Sequence, residues 1–143
     1  MKISSKEFKH NQSIPAKFTC QGEDINPSLK IEDIPKGAET LALIVDDPDA
    51  PMGTWVHWVV FDIPLTGEIE ENSIPGKQGN NNFGRKDYGG PCPPSGTHRY
   101  FFKLYALDQK LDLAEGITKE QLEQAMQGHI LEQAELIGLY RKQ

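Results

Sequence analysis

Two stretches of the chain gather side chains that can do chemistry. Asp46–Trp58 reads DDPDAPMGTWVHW, with three acids, two prolines, a glycine, two tryptophans and a histidine within thirteen residues. Gly89–Tyr100 reads GGPCPPSGTHRY, where three glycines and three prolines lead into a second histidine. A carboxylate beside an imidazole fixes which ring nitrogen carries the proton and leaves the other free to donate, accept or ligate. A loop made rigid by proline and close-fitting by glycine suits a wall of backbone N–H groups facing an anion.

Asp46 and Asp47 end an apolar run, and Pro48 and Pro51 forbid its continuation. An acid in that place can accept N–H groups from the turn it begins, which explains one acid or two but not three. The DPDAP turn must reverse before Trp55, so Ala50–Pro51 is expected to be cis, with Gly53–Thr54 a second candidate. Strand alternation sets Trp55, His57 and Val59 on one face and Val56, Trp58 and Val60 on the other. It likewise groups His98, Tyr100 and Phe102, with Arg99 and Phe101 opposite. Taken alone, His57 reads equally as a satisfied core histidine or as part of a site. If the two strands share a sheet, His57 and His98 converge with Asp47 and Asp49, and Tyr100 completes a small polar pocket in an apolar frame.

Three chemistries fit such a pocket. Two histidines and a carboxylate can hold a metal, but no HxH or HxxxH spacing supports one. Ser95 or Cys92 could act as a nucleophile with His98 and an Asp, yet there is no GxSxG elbow and both sit in a proline-braced turn. A Walker-type phosphate loop is absent. The third chemistry is anion recognition, with histidines and loop N–H groups as donors and an Asp fixing the imidazole tautomers. Binding without turnover is the expectation. A hydrolase or metal-dependent enzyme using His57, His98 and Asp47 is the alternative.

The elements that must position these residues are mostly strands. Ten prolines and thirteen glycines cut the chain into short apolar runs. Lys17–Cys20 and Ser28–Ile31 read as short strands. Thr40–Val45 (TLALIV), Trp55–Ile63 (WVHWVVFDI) and Arg99–Leu107 (RYFFKLYAL) are continuous apolar runs that suit buried strands. Asn72–Gly90 is a long Gly- and Asn-rich connection with isolated apolar anchors, of the kind that is functional or mobile. Thr118 with Gln121 fits a capping box, and Leu122, Ala125, Met126 and His129 or Ile130 recur at helical spacing. Residues 135–140 read as a last strand. The simplest architecture is a single β-sandwich domain over 1–143 with one attached helix.

DDPDAP followed by WVHW, and then GGPCPPSGTHRYFF, resembles the two signature blocks of the phosphatidylethanolamine-binding protein family, also called the Raf kinase inhibitor protein family. The likeness runs from FTCQGEDINPSL to GHILEQAELIGLY, and the short chain resembles the compact bacterial and archaeal branch. The resemblance implies a mostly β, Greek-key sandwich of antiparallel-rich sheets, with one C-terminal helix before a final strand. It also implies a small cavity at one end for phosphate or a phospholipid head group. By position its residues are Asp47, Asp49 and Pro51, then His57, then Pro93, Pro94, His98 and Tyr100. Larger relatives place more residues between the proline pair and the histidine than SerGlyThr here. Regulation or inhibition of a kinase or protease is a role that the resemblance implies.

Composition bounds the partners. The net charge of −6 and scattered Lys and Arg argue against nucleic acid and against an anionic membrane surface. No stretch reads as a signal peptide or membrane span, so a cytoplasmic protein is expected, with no membrane insertion. In that reducing setting Cys20 and Cys92 read as two free thiols. No cofactor or metal is expected, and a homodimer stays open.

Overall fold

The computed structural model describes residues 1–143. A six-stranded sheet carries the site. Its order is β2 (Gln12–Ser13), β9 (Ile130–Arg141), β8 (Thr97–Leu107), β4 (Thr40–Asp47), β5 (Trp55–Ile63) and β7 (Lys77–Gln78). Every pairing in it is antiparallel except β2 with β9. A second, three-stranded sheet runs β1 (Lys2–Ser4), β3 (Leu29–Glu32) and β6 (Glu68–Ile69). The two-sheet architecture with its non-sequential strand order is the Greek-key sandwich expected. No helix is long and apolar enough to cross a membrane.

The main core lies on the face of the large sheet that carries Leu41, Leu43, Val45, Trp58, Val60, Tyr100, Phe102 and Leu104. Ile3, Leu29, Ile31 and Ile69 of the small sheet join the same cluster. The opposite face holds Ala42, Ile44, Val56, Val59, Phe61, Tyr105 and Leu107, covered by Leu122 and Met126 of α1 (Lys119–Met126). β4 is therefore buried at every position, as its unbroken apolar run predicts. Thr118 and Gln121 form the capping box that starts α1.

Strict alternation fails in β5, and the failure has a cause. Val45 pairs with Trp58 and the next residue, Asp46, pairs with Val56, which leaves His57 as an extra residue. A β-bulge of this kind flips the phase of the strand. Val59 thus packs with Val56 on the helix-covered face, and Trp58 and Val60 on the core face. A second register shift falls between Val60 and Ile63, where Asp62 adopts a positive φ of 51°. Its carboxylate accepts the N–H groups of Leu111 and Asp112, tying the loop before α1 to the sheet.

Three other expectations are corrected. Lys17–Cys20 is not a strand: Ala16–Phe18 is a 3₁₀ turn held by N–H donation from Phe18 to Pro15 and from Thr19 to Ala16. Every peptide bond is trans, so neither Ala50–Pro51 nor Gly53–Thr54 is cis. The turn is closed instead by Gly53 N–H donation to the Ala50 carbonyl, with Gly53 at φ 108°, where a side chain would be strained. Finally, Cys20 and Cys92 are not free thiols. They form a disulfide, with Cα atoms 5.4 Å apart, because the chain folds the 3₁₀ turn against the Pro/Gly loop. The inference from a reducing setting did not anticipate that proximity.

Candidate functional site

Three strand ends and two loops build a cavity of about 330 Å³. Asp47 is the last residue of β4, on the same face as Val45 and the main core. Its Oδ1 accepts the Asp49 N–H at 2.7 Å, so the carboxylate opens the DPDAP turn as an Asx turn. Its Oδ2 lies 2.6 Å from Nδ1 of His98, the second residue of β8. Both side chains are nearly inaccessible to solvent. The expected Asp–His pair is therefore present, between β4 and β8.

His57 is oriented differently. The bulge turns it toward Tyr100, whose ring it meets edge-on with centroids 5.2 Å apart. Its Nδ1 lies 2.6 Å from the Gly89 carbonyl oxygen, and Gly89 N–H donates back to the His57 carbonyl at 3.0 Å. A backbone carbonyl, not a nearby acid, fixes this ring. Burial holds the His57 pKa below the ordinary histidine value, outweighing the Gly89 carbonyl and the charge of Asp47. Burial likewise pushes the Tyr100 phenol up, with the charges of Asp47 and Asp49 adding to it. Tyr100 thus stays protonated; the Cys92 backbone N–H lies near its oxygen and opposes the shift, but the buried hydroxyl hydrogen has no acceptor within the protein.

The Asn-rich connection is ordered around the site. Asn81 is buried; its side-chain oxygen accepts from Phe83 N–H at 2.9 Å and Arg85 N–H at 3.1 Å. Asn82 bonds with both backbone groups of Val56, its side chain accepting from Val56 N–H at 2.7 Å. These contacts bring Phe83 edge-on to both Trp55 and His57, with centroids 5.5 and 5.4 Å away. The Pro/Gly loop is stitched to the N-terminal segment by the disulfide and by three hydrogen bonds. Gly90 N–H donates to Asp24 Oδ1, Cys20 N–H to the Pro91 carbonyl, and the Tyr88 hydroxyl to the Phe18 carbonyl. A Cβ at Gly90 would lie 2.4 Å from the Phe18 carbonyl oxygen, so only glycine lets these backbones meet.

Of the residues singled out in the sequence, Asp47, Pro51, His57, Pro93, Pro94, His98 and Tyr100 line the one cavity. Asp49 does not. Its carboxylate is bound to the Arg99 guanidinium by two contacts of 2.9 Å and also accepts the Arg99 N–H. Arg99 holds the Asp49 pKa below the usual carboxylate value. Ala50, Met52, Trp55, Phe83 and Cys92 complete the lining. Phe83 could have been suspected only as an apolar anchor in a polar connection. Cys92 is disulfide-bonded and offers no thiolate, and Ser95 is not part of the lining, so neither candidate nucleophile stands ready at the cavity.

Both imidazoles thus give Nδ1 to a fixed oxygen and leave Nε2 without a protein partner, beside an unpaired phenol. No group of three or more His, Cys, Asp or Glu side chains is placed to hold a metal ion. A two-sheet β-sandwich with a histidine–aspartate–tyrosine cavity at one end of its larger sheet is the frame of a binding protein. The family model described as phosphatidylethanolamine-binding protein matches residues 4–141, and the chain belongs to that family. It is 49% identical over 154 residues to a UPF0098 protein of Pyrococcus horikoshii, covering 99% of this chain and 77% of the relative. A UPF0098 protein of Methanothermobacter thermautotrophicus is 48% identical, with 99% of each chain covered. Among solved structures, a phosphatidylethanolamine-binding protein homologue from Chlamydia trachomatis superposes with a TM-score of 0.96 at 44% identity, covering 99% of this chain and 97% of the other. YbcL of E. coli, described as a member of the mammalian PEBP family, gives 0.91 at 27% identity, covering 99% and 98%. These likenesses place the chain in the bacterial and archaeal branch.

Proposed function

We propose that the protein binds a small anion, phosphate or a phosphate-bearing head group, in the cavity lined by Asp47, His57, His98 and Tyr100, and does not turn it over. The observation that carries this reading is the Tyr100 hydroxyl. A buried donor without a partner is costly, and an oxyanion in the cavity would satisfy it. His98 supplies a second donor when Nε2 is protonated, because the Asp47 carboxylate then faces an imidazolium. Pro51, Pro93 and Pro94 give the cavity rigid apolar walls. Asp49, with its carboxylate engaged by Arg99, supports the turn from outside.

The alternative, a metal-dependent hydrolase, has one observation in its favour. Histidines that ligate metals commonly donate their other ring nitrogen to an oxygen, as both do here. Against it, both Asp47 oxygens are already engaged, and a protonated Tyr100 is a poor ligand. Calorimetry of the protein with inorganic phosphate in chelator tests the choice, followed by a screen of phosphate esters with and without zinc or manganese. Binding in chelator without hydrolysis is expected. Binding that needs the metal, or hydrolysis lost in His98→Ala, would establish an enzyme.

Regulation of a kinase or protease by contact belongs to the same proposal. Its test is an inhibition assay with and without phosphate in the cavity.

A further inference from the structure

The two imidazoles are not equivalent toward a ligand. A carbonyl oxygen only accepts, so His57 must carry its hydrogen on Nδ1, 2.6 Å from the Gly89 oxygen. A carboxylate also only accepts, so His98 carries a hydrogen on Nδ1 opposite Asp47 Oδ2. In neutral rings both Nε2 atoms are therefore lone pairs, and the one O–H in the cavity is that of Tyr100.

A second proton would meet different surroundings on each ring. On His98 it makes an imidazolium against a carboxylate at 2.6 Å. On His57 it makes a buried cation whose nearest partner is a neutral carbonyl. The other groups packed against His57 are the neutral Gly90 backbone and the Phe83 and Tyr100 rings, and Asp47 and Asp46 are the nearest formal charges, neither hydrogen-bonded to it. Desolvation is the largest influence on His57 and favours the neutral ring.

Resting on the anion-cavity reading, we infer that the cavity selects oxyanions that bring their own hydrogen, a phosphomonoester monoanion or dihydrogen phosphate, over phosphodiesters of the same charge. The ligand's P–OH donates to His57 Nε2. Its anionic oxygens accept from Tyr100 O–H and from His98 Nε2–H. A diester monoanion has no P–OH, so it presents an oxygen lone pair to the lone pair of His57 and leaves a buried acceptor unpaired. His57 is then a specificity-determining residue, and His98 with Asp47 supplies the attraction.

Methyl phosphate and dimethyl phosphate provide the test, titrated by calorimetry into metal-free protein at pH 5.5, where both are mainly monoanions because a monoester's second ionisation lies near about pH 6. The monoester should bind at least tenfold tighter. That ratio should fall by nearly tenfold per unit as pH rises above about 6, where the monoester loses its hydrogen. His98 faces both esters alike, so what it contributes cancels in the ratio. His57→Gln, whose amide can offer either an oxygen or an N–H, should bring the ratio within about threefold, with folding checked by circular dichroism. The wild-type ratio stands whether or not that variant folds. Vesicles containing phosphatidic acid, a lipid monoester, set against phosphatidylglycerol, a lipid diester, distinguish a membrane source from a soluble one. Preference for the monoester in either setting supports the inference. Equal or tighter binding of dimethyl phosphate overturns it and leaves the anion cavity standing. No binding of either ester or of inorganic phosphate overturns both.

Discussion

Asp46 and Asp47 are neighbours in the chain, both buried, and they face opposite sides of one sheet. Asp46 lies on the helix-covered side, where one oxygen meets Lys103 at 3.0 Å and Lys119 at 2.8 Å. Lys119 is the first residue of α1, so the pair of ammoniums neutralises a buried charge and pins the helix at once. Asp47 lies on the cavity side, where a turn N–H and an imidazole engage it. A buried acid closed off by two cations holds structure. A buried acid that orients a ring whose far nitrogen remains open prepares a site. The type and burial of the two residues are the same. Both Asp47 oxygens are engaged, whereas Asp46 takes both lysines on Oδ2 and leaves Oδ1 without a partner, and only the Asp47 partner opens onto a cavity.

The largest effect is expected on the cavity side. The disulfide closes a separation of 72 residues, and the double change Cys20→Ser, Cys92→Ser should lower unfolding free energy by about 4 kcal/mol. Chemical denaturation measures this, and a loss below about 1 kcal/mol would mean that the three hydrogen bonds beside it already hold the loop. Next comes the aspartate pair itself. Asp46→Ala should cost about 2 kcal/mol, since it leaves two partly exposed ammoniums without their carboxylate, yet leave phosphate affinity within about twofold. Asp47→Asn should cost about 1 kcal/mol but weaken phosphate about tenfold at pH 6, because the amide cannot balance an imidazolium. An interchange of these two outcomes would break the comparison.

Acid stability sharpens it further. The His57 pKa is depressed in the folded state from an ordinary value of 6.5, so the unfolded chain binds the extra proton first. Its contribution is full above about pH 6.5 and is lost as pH falls through the lower folded value. Thermal melts should therefore show a falling stability below pH 6.5 that is shallower in His57→Gln. The smallest effect lies outside the cavity. Arg99→Met should let the Asp49 carboxyl rise back toward its ordinary value, seen by NMR titration, with phosphate affinity unchanged.

Much of the fold was legible because β5, β8 and α1 announce themselves through apolar runs and a capping box. The bounds Trp55–Ile63 needed nothing beyond β-branched and aromatic continuity. The last strand was read as 135–140 but begins at Ile130, since its first half, ILEQA, is mostly exposed and lacks an apolar run. Seven of the eight carried-over residues meet in one cavity because loop and strand are contiguous in both blocks. Asp49 lies outside the lining because it pairs with Arg99, a contact that depends on the β4–β8 register, which short-range patterns do not encode. The pairing of Cys20 with Cys92 was illegible for the same reason: proximity across 72 residues is a property of topology.

The bulge in β5 separates what the fold requires from what it carries. With His57 removed on paper, Val56, Trp58, Val59 and Val60 alternate without interruption between the helix-covered and core faces. From Val56 to Phe61 both apolar stripes would then keep phase, and the pairing with β4 would run unbroken from Trp55 to Val60, with only the register shift at Asp62 left beyond it. His57 is thus a one-residue insertion relative to the regular strand that the sheet would otherwise build. A chain lacking that codon should still be able to assemble the sandwich, with the end of the sheet closed over and no imidazole meeting Tyr100 edge-on. The histidine is held in place by the sheet but contributes nothing to its continuity. Insertions and deletions at this one step, rather than substitutions in the core, are the changes that would separate the scaffold from the site.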